Sequence, residues 1–395
     1  MKILHLIPFF SPMFGGSVNT TYLQARKLSE RNHEVTILTT DFNFDLQYAN
    51  NILAEGVTVI PFPCIANFGL FIYTPSMKKW LEKNLKEFDI VHIHNYRSYQ
   101  SATIIHFAIK MEIPYIVQAH GSLLPFFEKQ FLKKCFDAIW GHNILKNAVS
   151  FIALTETEFD QYVKMGVPKN KIMIIPNGID ISHCADLPPR GQFRLKYQIP
   201  ENERMILFLG RIHKIKGIDL LVEAFSKIHS QISDIRLVIA GPDGGSLFQI
   251  QRQIRKLHLE NNVIFTGPLY GKDKLEAYID ADVFVLPSRY ETFPNSILEA
   301  WACGTPVITT KNCQILDYIE EAGYSIEDNP VDLANVIRKI LSENEKNELH
   351  VKQNNGKRLV LNELNIENTI SKIESLYYNV LTRDRLKKEK IWLNT

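Results

Sequence analysis

The feature that most constrains this chain is an alternation repeated along most of its length. Short β-branched runs are each followed by a longer stretch with apolar residues at three- and four-residue spacing. This pattern marks parallel βα units, because a strand covered on both faces reads as one apolar run while its covering helix reads as a stripe. Strands are expected at Lys2 to Ile7, Glu34 to Thr39, Val57 to Pro61, Ile90 to His94, Tyr115 to His120, Phe151 to Thr155 and Ile172 to Ile175. The pattern restarts at Met205 to Leu209 and continues through Ile235 to Ala240, Val263 to Thr266, Val283 to Pro287 and Pro306 to Thr309. Each half predicts an open, doubly wound parallel sheet, so the chain is expected to be α/β with two Rossmann-like domains.

The 395 residues suit two or three domains. Between the halves lie Pro188, Pro189, Arg190, Gly191 and Pro200 without sustained periodicity. The expected division is a first domain at 1–185, a linker at 186–202, a second domain at 203–365, and a helix at 366–395 crossing back to the first. Ile366, Ile370, Ile373, Leu376 and Tyr377 form one apolar stripe that needs a surface to cover. Helix is expected to about Leu381, with the charged tail Arg383 to Lys390 frayed.

Hydrophobic residues at 45% and charged residues at 22% describe a globular chain rather than a disordered or fibrous one. A net charge of +2 without a long basic run excludes nucleic acid as a main partner. Five scattered cysteines with no C-x-x-C pair point to a reducing compartment, hence the cytoplasm. The opening run meets Pro8 early and reads as a buried strand rather than a signal peptide. No apolar stretch approaches ~18 residues, so no spanning helix is expected.

In open α/β sheets, ligands bind beyond the carboxyl ends of the strands, and three segments there carry chemistry. Gly15 and Gly16 precede a helix starting near Ser17, where bare amides can meet an anion or simply turn the chain. In Phe208 to Gly217, Arg211 and Lys216 lie between a strand end and an amphipathic helix. An Arg fork beside a compact Lys charge suits a diphosphate, although a solvated loop has the same composition. In Ser288 to Pro306, Glu291 sits on a loop, a helix opens near Pro294, and Glu299 lies inside that helix. The amides of Asn295, Ser296 and Ile297 are expected to be free for phosphate oxygens. Glu299 can accept both hydroxyls of a ribose diol and Glu291 those of another sugar. Ala300, Ala302 and Cys303 predict a buried helix, in which an unpartnered Glu299 is costly.

Taken in order, Gly15-Gly16, His120-Gly121, Ile175 to Asp180, Gly210-Arg211 with Lys216, Ala240-Gly241 and Glu291 to Glu299 resemble family 4 of the retaining glycosyltransferases. The resemblance runs from Met1 to about Tyr378, and its most diagnostic part is Glu-x7-Glu followed by Ala-Cys-Gly-Thr-Pro. It implies a GT-B fold, two Rossmann-like domains facing across a cleft, a nucleoside-diphosphate sugar as donor substrate, no cofactor and no metal. By the same resemblance, Arg211 and Lys216 bind the donor diphosphate and Glu299 the ribose. Glu291 holds the transferred sugar with Phe293 presenting backbone, Asn295 and Ser296 meet the donor, His120 faces the sugar and the reacting bond, and Gly15 and Gly16 close on the phosphates or acceptor. His120, Glu291, Arg211 and Lys216 form the expected catalytic set. Asn177-Gly178 falls near the hinge by analogy, although a turn with Gly at positive φ explains it too. Thr292 and Pro294 stand where the family often has Gly. The implied activity is retaining hexosyl transfer to a saccharide or lipid-linked saccharide, in cell-surface polysaccharide or glycolipid assembly. A nucleotide-sugar epimerase and a non-catalytic sugar-nucleotide-binding protein remain as rivals.

Three further signals point elsewhere. Asp280-Ala-Asp282 has the D-x-D form of a metal site, but it straddles a helix end and a buried strand, where capping and chain turning explain it. His92 and His94 share one strand face, a spacing seen in metal sites, without a third ligand. Residues 123–146 combine Phe126, Phe127, Phe131, Phe136 and Trp140 with Lys129, Lys133 and Lys134. Such a helix either packs on the core or lies on an anionic membrane surface, which would make the protein peripheral on the inner membrane face. Gly267 to Tyr270 is a candidate contact for the nucleotide base.

Overall fold

The computed structural model describes residues 1–68, 71–124, 130–184, 187–342 and 346–392. They form two compact units, one of Met1–Asn177 with Ile366–Thr395, the other of Gly178–Asn365.

The first unit is built on seven parallel strands. In spatial order they are Val57–Phe62, Glu34–Thr40, Lys2–Leu6, Ile90–His94, Tyr115–Gln118, Ser150–Ala153 and Ile172–Ile174. The period of two divides each strand between two cores. Leu4, Leu6, Val91, Ile93 and Val117 face one; Ile3, Ile37, Ile90, Ile116 and Ile152 face the other.

That second core is closed by the returning helix Ile366–Trp392, whose Ile370, Ile373 and Tyr377 are fully buried in it. Arg31 grips its outer side through Glu367 at 2.8 Å and Glu374 at 3.0 Å. The helix continues through the tail expected to fray, since Arg, Leu, Lys and Glu are strong helix formers.

The second unit carries six parallel strands: Val263–Gly267, Ile235–Ala240, Arg204–Leu209, Val283–Leu286, Val307–Thr310 and Tyr324–Ile326 in spatial order. The last is too short for its apolar pattern to stand out in sequence. Both sheets place their first strand centrally and reverse strand order beside it, the arrangement that opens a ligand crevice at the strand ends.

Residues expected in the linker instead include the helix Gln192–Lys196, bonded into the second unit. Gly191 and Arg194 donate their N–H groups to the two oxygens of Asp280 at 2.5 and 3.0 Å. The buried Arg194 guanidinium reaches Asp282 at 2.9 Å, and Asp282 also accepts the Met205 N–H at 2.8 Å. The Asp-Ala-Asp segment is thus occupied in fastening this helix to a strand start. The units divide at Asn177 and Gly178, and Gly178 has no positive φ, so the left-handed turn expected there does not form.

Candidate active site

In the second unit the chemistry-bearing residues follow the strands Arg204–Leu209 and Val283–Leu286. After the first, the chain makes a short turn, Lys214–Lys216, and enters the helix Ile218–His229 through Gly217. Gly217 has φ +66°, and a Cβ there would lie 1.9 Å from the Pro287 carbonyl oxygen. Only glycine lets the two loops approach so closely. Arg289 fixes the turn from the other loop: its guanidinium forks onto Asp219 at 2.7 and 2.8 Å and donates to the Lys214 carbonyl at 2.8 Å.

This scaffold presses Lys216 Nζ against Glu291 Oε1, with Ser288 Oγ 3.2 Å from the same oxygen. Glu291 is held by its backbone as well, since the Gln314 N–H donates to its carbonyl at 2.9 Å. Arg211 is exposed, with no acid against it among the described residues. Its aliphatic stem lies on Gly244, where a Cβ would fall 2.7 Å from Cγ.

Glu299 belongs to the helix Asn295–Ala302, which buries Ile297, Leu298, Ala300 and Trp301. The cost of an unpartnered acid is avoided by two groups the motif did not reveal: Lys274 Nζ at 2.7 Å and Tyr278 Oη at 3.2 Å. Both project from the helix Gly271–Asp280 at four-residue spacing and so share one face. That spacing is the sequence signal that would have found them. At the helix start, Pro294 is the N-cap, and the Ile297 N–H donates to its carbonyl at 3.1 Å. The expectation of three free amides from Asn295 to Ile297 is therefore corrected: that cap bond occupies one of them. Phe293 is buried, its ring 6.2 Å from that of Tyr318 in an edge contact. Tyr270 is exposed just before the helix Gly271–Asp280.

In the first unit, the strands Ile90–His94 and Tyr115–Gln118 are each followed within two residues by left-handed backbone, Asn95 at φ 56° and His120 at φ 52°. Non-glycine residues adopt this conformation at a cost, and such strain gathers at functional sites. Asn95 Nδ2 donates to Ser17 Oγ at 3.1 Å, which brings the strand end to the start of the helix Gly16–Glu30. Gly15, at φ 85°, and Gly16 have open space where side chains would project.

His120 is tied inward, with Nε2 2.9 Å from His94 Nδ1, and His94 Nε2 is 2.8 Å from His5 Nδ1. Burial pushes His5 and His120 down to about 3 and His94 well below its ordinary range, so all three rings are neutral near pH 7. The next residue, Gly121, donates its N–H to the buried carboxyl of Glu158 at 2.6 Å, and Leu154 donates to the other oxygen at 2.8 Å. His5 and Glu158 were not expected here: a lone His in an apolar strand and a Glu in a helical first turn carry no distinctive signal.

A cavity of about 710 Å³ in this unit is lined in part by Phe71, Tyr99, His106, Phe107, Trp140 and Lys146. Around Trp140 the chain is helical through Gln130–Phe136 and Asp137–Gly141, with Phe131, Leu132 and Ile139 exposed and Phe136 buried. Phe126, Phe127 and Lys129 of the expected amphipathic segment lie outside the described residues. No helix among the described residues is long and apolar enough to cross a membrane.

Residues 14–183 match the family model described as Glycosyltransferase Family 4, and residues 189–359 the model described as Glycosyl transferases group 1. The chain is 28% identical over 391 residues to the N-acetyl-alpha-D-glucosaminyl L-malate synthase of Bacillus anthracis, covering 95% of this chain and 96% of that protein. Its fold is that of the Anabaena protein Alr3699/HepE crystallised with UDP-glucose, with a TM-score of 0.79 and 19% identity over 96% of this chain and all of that one. It is also that of WaaG, a glycosyltransferase involved in lipopolysaccharide biosynthesis, with a TM-score of 0.72 and 20% identity over 95% and 99% of the two chains.

Proposed function

The chain belongs to the family 4 glycosyltransferases, a transferase of GT-B fold, and from that premise we propose that it moves a hexose-type sugar from a nucleoside diphosphate to a saccharide or lipid-linked saccharide, with retention and without a metal. The observation that carries the donor assignment is the pairing of opposite charges at the strand ends of the second unit: Lys216 with Glu291, and Lys274 with Glu299. A diphosphate competes for Lys216 and releases Glu291 to accept sugar hydroxyls. Glu299, steadied by Tyr278, accepts the ribose diol. Arg211, exposed and without an acid against it among the described residues, adds the forked charge for phosphate oxygens.

In the proposed reaction the bond from the anomeric carbon to the phosphate oxygen breaks as the acceptor oxygen attacks from the same face. The acceptor proton passes to the departing phosphate, so no protein nucleophile is required. Charge grows on the diphosphate as the sugar becomes oxocarbenium-like, and fixed cations that meet this charge are the largest catalytic contribution available. His120 is assigned to a sugar hydroxyl.

Acceptor-dependent release of nucleotide tests this function. Release without acceptor favours an epimerase, and donor binding without turnover favours a non-catalytic protein. UDP is the first nucleotide to try, since HepE was crystallised with it, with GDP and ADP beside it. A ligand bound only by the folded state raises its thermal stability.

The exposed Phe131, Leu132 and Ile139, beside the exposed Lys134, support a cytoplasmic protein peripheral to an anionic membrane, in the assembly of cell-surface polysaccharide or glycolipid. Flotation with anionic liposomes tests this: binding that survives Lys133→Glu with Lys134→Glu rejects an electrostatic attachment here.

A further inference from the structure

His5, His92 and His94 occupy positions where the sheet pattern calls for apolar side chains. His5 is the register partner of His92, and both alternate with Ile3 and Ile90 on the face covered by the returning helix. All three are fully buried. Polar residues at core positions break a local rule, and such breaks concentrate at functional sites.

Their candidate ligand atoms lie within 4.8 Å of one another, and a metal cage is the first explanation to weigh. His94 argues against it. Both its nitrogens are engaged, one with His5 at 2.8 Å and one with His120 at 2.9 Å, leaving no lone pair to give.

The bonds instead form a directional chain. A neutral imidazole carries one N–H and one lone pair, so a donor at one end of His94 forces an acceptor at the other. Two directions are possible, and the inner terminus decides between them. His5 Nε2 is buried with no partner among the described residues. If the protons ran inward from His120, this nitrogen would carry a sealed N–H with no acceptor. If they run outward, it holds only an unused lone pair, the lesser fault. Outward, His5 Nδ1–H donates to His94, His94 Nδ1–H donates to His120 Nε2, and the His120 proton sits on Nδ1.

We infer that His94 and His5 are positioning residues that hold His120 in the Nδ1–H tautomer, so that it meets a sugar hydroxyl as a hydrogen-bond donor rather than as a base. The inference deepens the proposed role of His120 and rests on it only for the identity of the ligand. The stacked geometry, with His94 and His120 centroids 5.2 Å apart and planes 20° apart, keeps the ring in place for that contact.

The ring proton is read directly by two-dimensional proton–nitrogen NMR of the full chain labelled with ¹⁵N-histidine, without substrate. The His120 signals are identified as those lost in His120→Gln. The expected result is protonation at Nδ1 near pH 7; protonation at Nε2 overturns the inference even if sugar transfer is established. Stoichiometric metal that is lost in His5→Leu overturns it too, because a metal on His94 Nε2 takes the lone pair that accepts from His5 and so breaks the chain that sets the tautomer. In turnover, His94→Leu removes the donor to His120 and is expected to lower kcat on the order of 10²-fold. His94→Gln, whose amide can donate in its place, is expected to recover part of that loss at equal thermal stability. Equal kcat in wild type and His94→Leu rejects the positioning role.

Discussion

Lys216 and Glu291 neutralise each other in the free protein, with only 19% and 14% of their side chains exposed. Each is the other's partner until something more strongly charged arrives. A diphosphate carries more negative charge than one carboxylate and, in the proposed donor site, meets Arg211 as well. Lys216→Ala is therefore expected to lower kcat/KM by about 10²–10³-fold, the size typical of a lost preorganised donor. Steady-state kinetics with donor checks this, and unchanged constants would remove Lys216 from the site.

In the proposed site Glu299 differs, because the ribose it is assigned to stays with the nucleotide after transfer. Glu299→Ala is expected to weaken binding of the nucleoside diphosphate product itself by roughly 10–100-fold, the range of a charged hydrogen bond. Lys274 acts here through Glu299, so Lys274→Ala is expected to add little once Glu299 is gone. Calorimetric titration of the four proteins of this cycle reads both effects. Additive losses from the two substitutions would mean that Lys274 meets the nucleotide directly.

Much of this candidate site was legible in outline because its loops leave short-range marks. Glu291, Phe293 and Glu299 lie within nine residues, and Lys216 follows a strand end that β-branched residues announce. The supports were not legible, because they are long-range. Lys274 meets Glu299 over 25 positions, Arg289 meets Asp219 over 70, and His5 meets His94 over 89. Only strand register brings His5 beside His92. The two sheets were readable from alternation except for the short edge strand Tyr324–Ile326. The linker was misread because Pro and Gly mark turns whether or not the intervening residues pack, and Arg194 packs.

Asp280 and Asp282 provide a stability test with a metal control. Arg194 and Asp282 form a largely buried pair, and removing one partner strands the other charge. Asp282→Ala is expected to cost about 3 kcal/mol of stability. Magnesium and chelator are expected to leave both wild type and variant unmoved in denaturant titrations. Stabilisation of the wild type by magnesium, absent from the variant, would return this segment to metal binding.

Glu158 sets a pH dependence that can be read without any substrate. Burial is the main cause that pushes its carboxyl up to about 7, with the N–H groups of Leu154 and Gly121 opposing. The unfolded chain releases this proton near the ordinary carboxylate range, about 4.5. The folded state therefore binds the proton more tightly, and its contribution is fully present below about pH 4.5 and lost as pH rises through about 7. The linked loss is up to about 3 kcal/mol. Glu158→Gln cannot titrate, so its stability is expected to be flatter than that of the wild type between pH 5 and 7, as chemical denaturation at a series of pH values will show. An equal slope in the two proteins would assign the titration to another group. A flatter slope would show that the carboxyl holding Gly121, the residue next to His120, changes charge close to neutral pH.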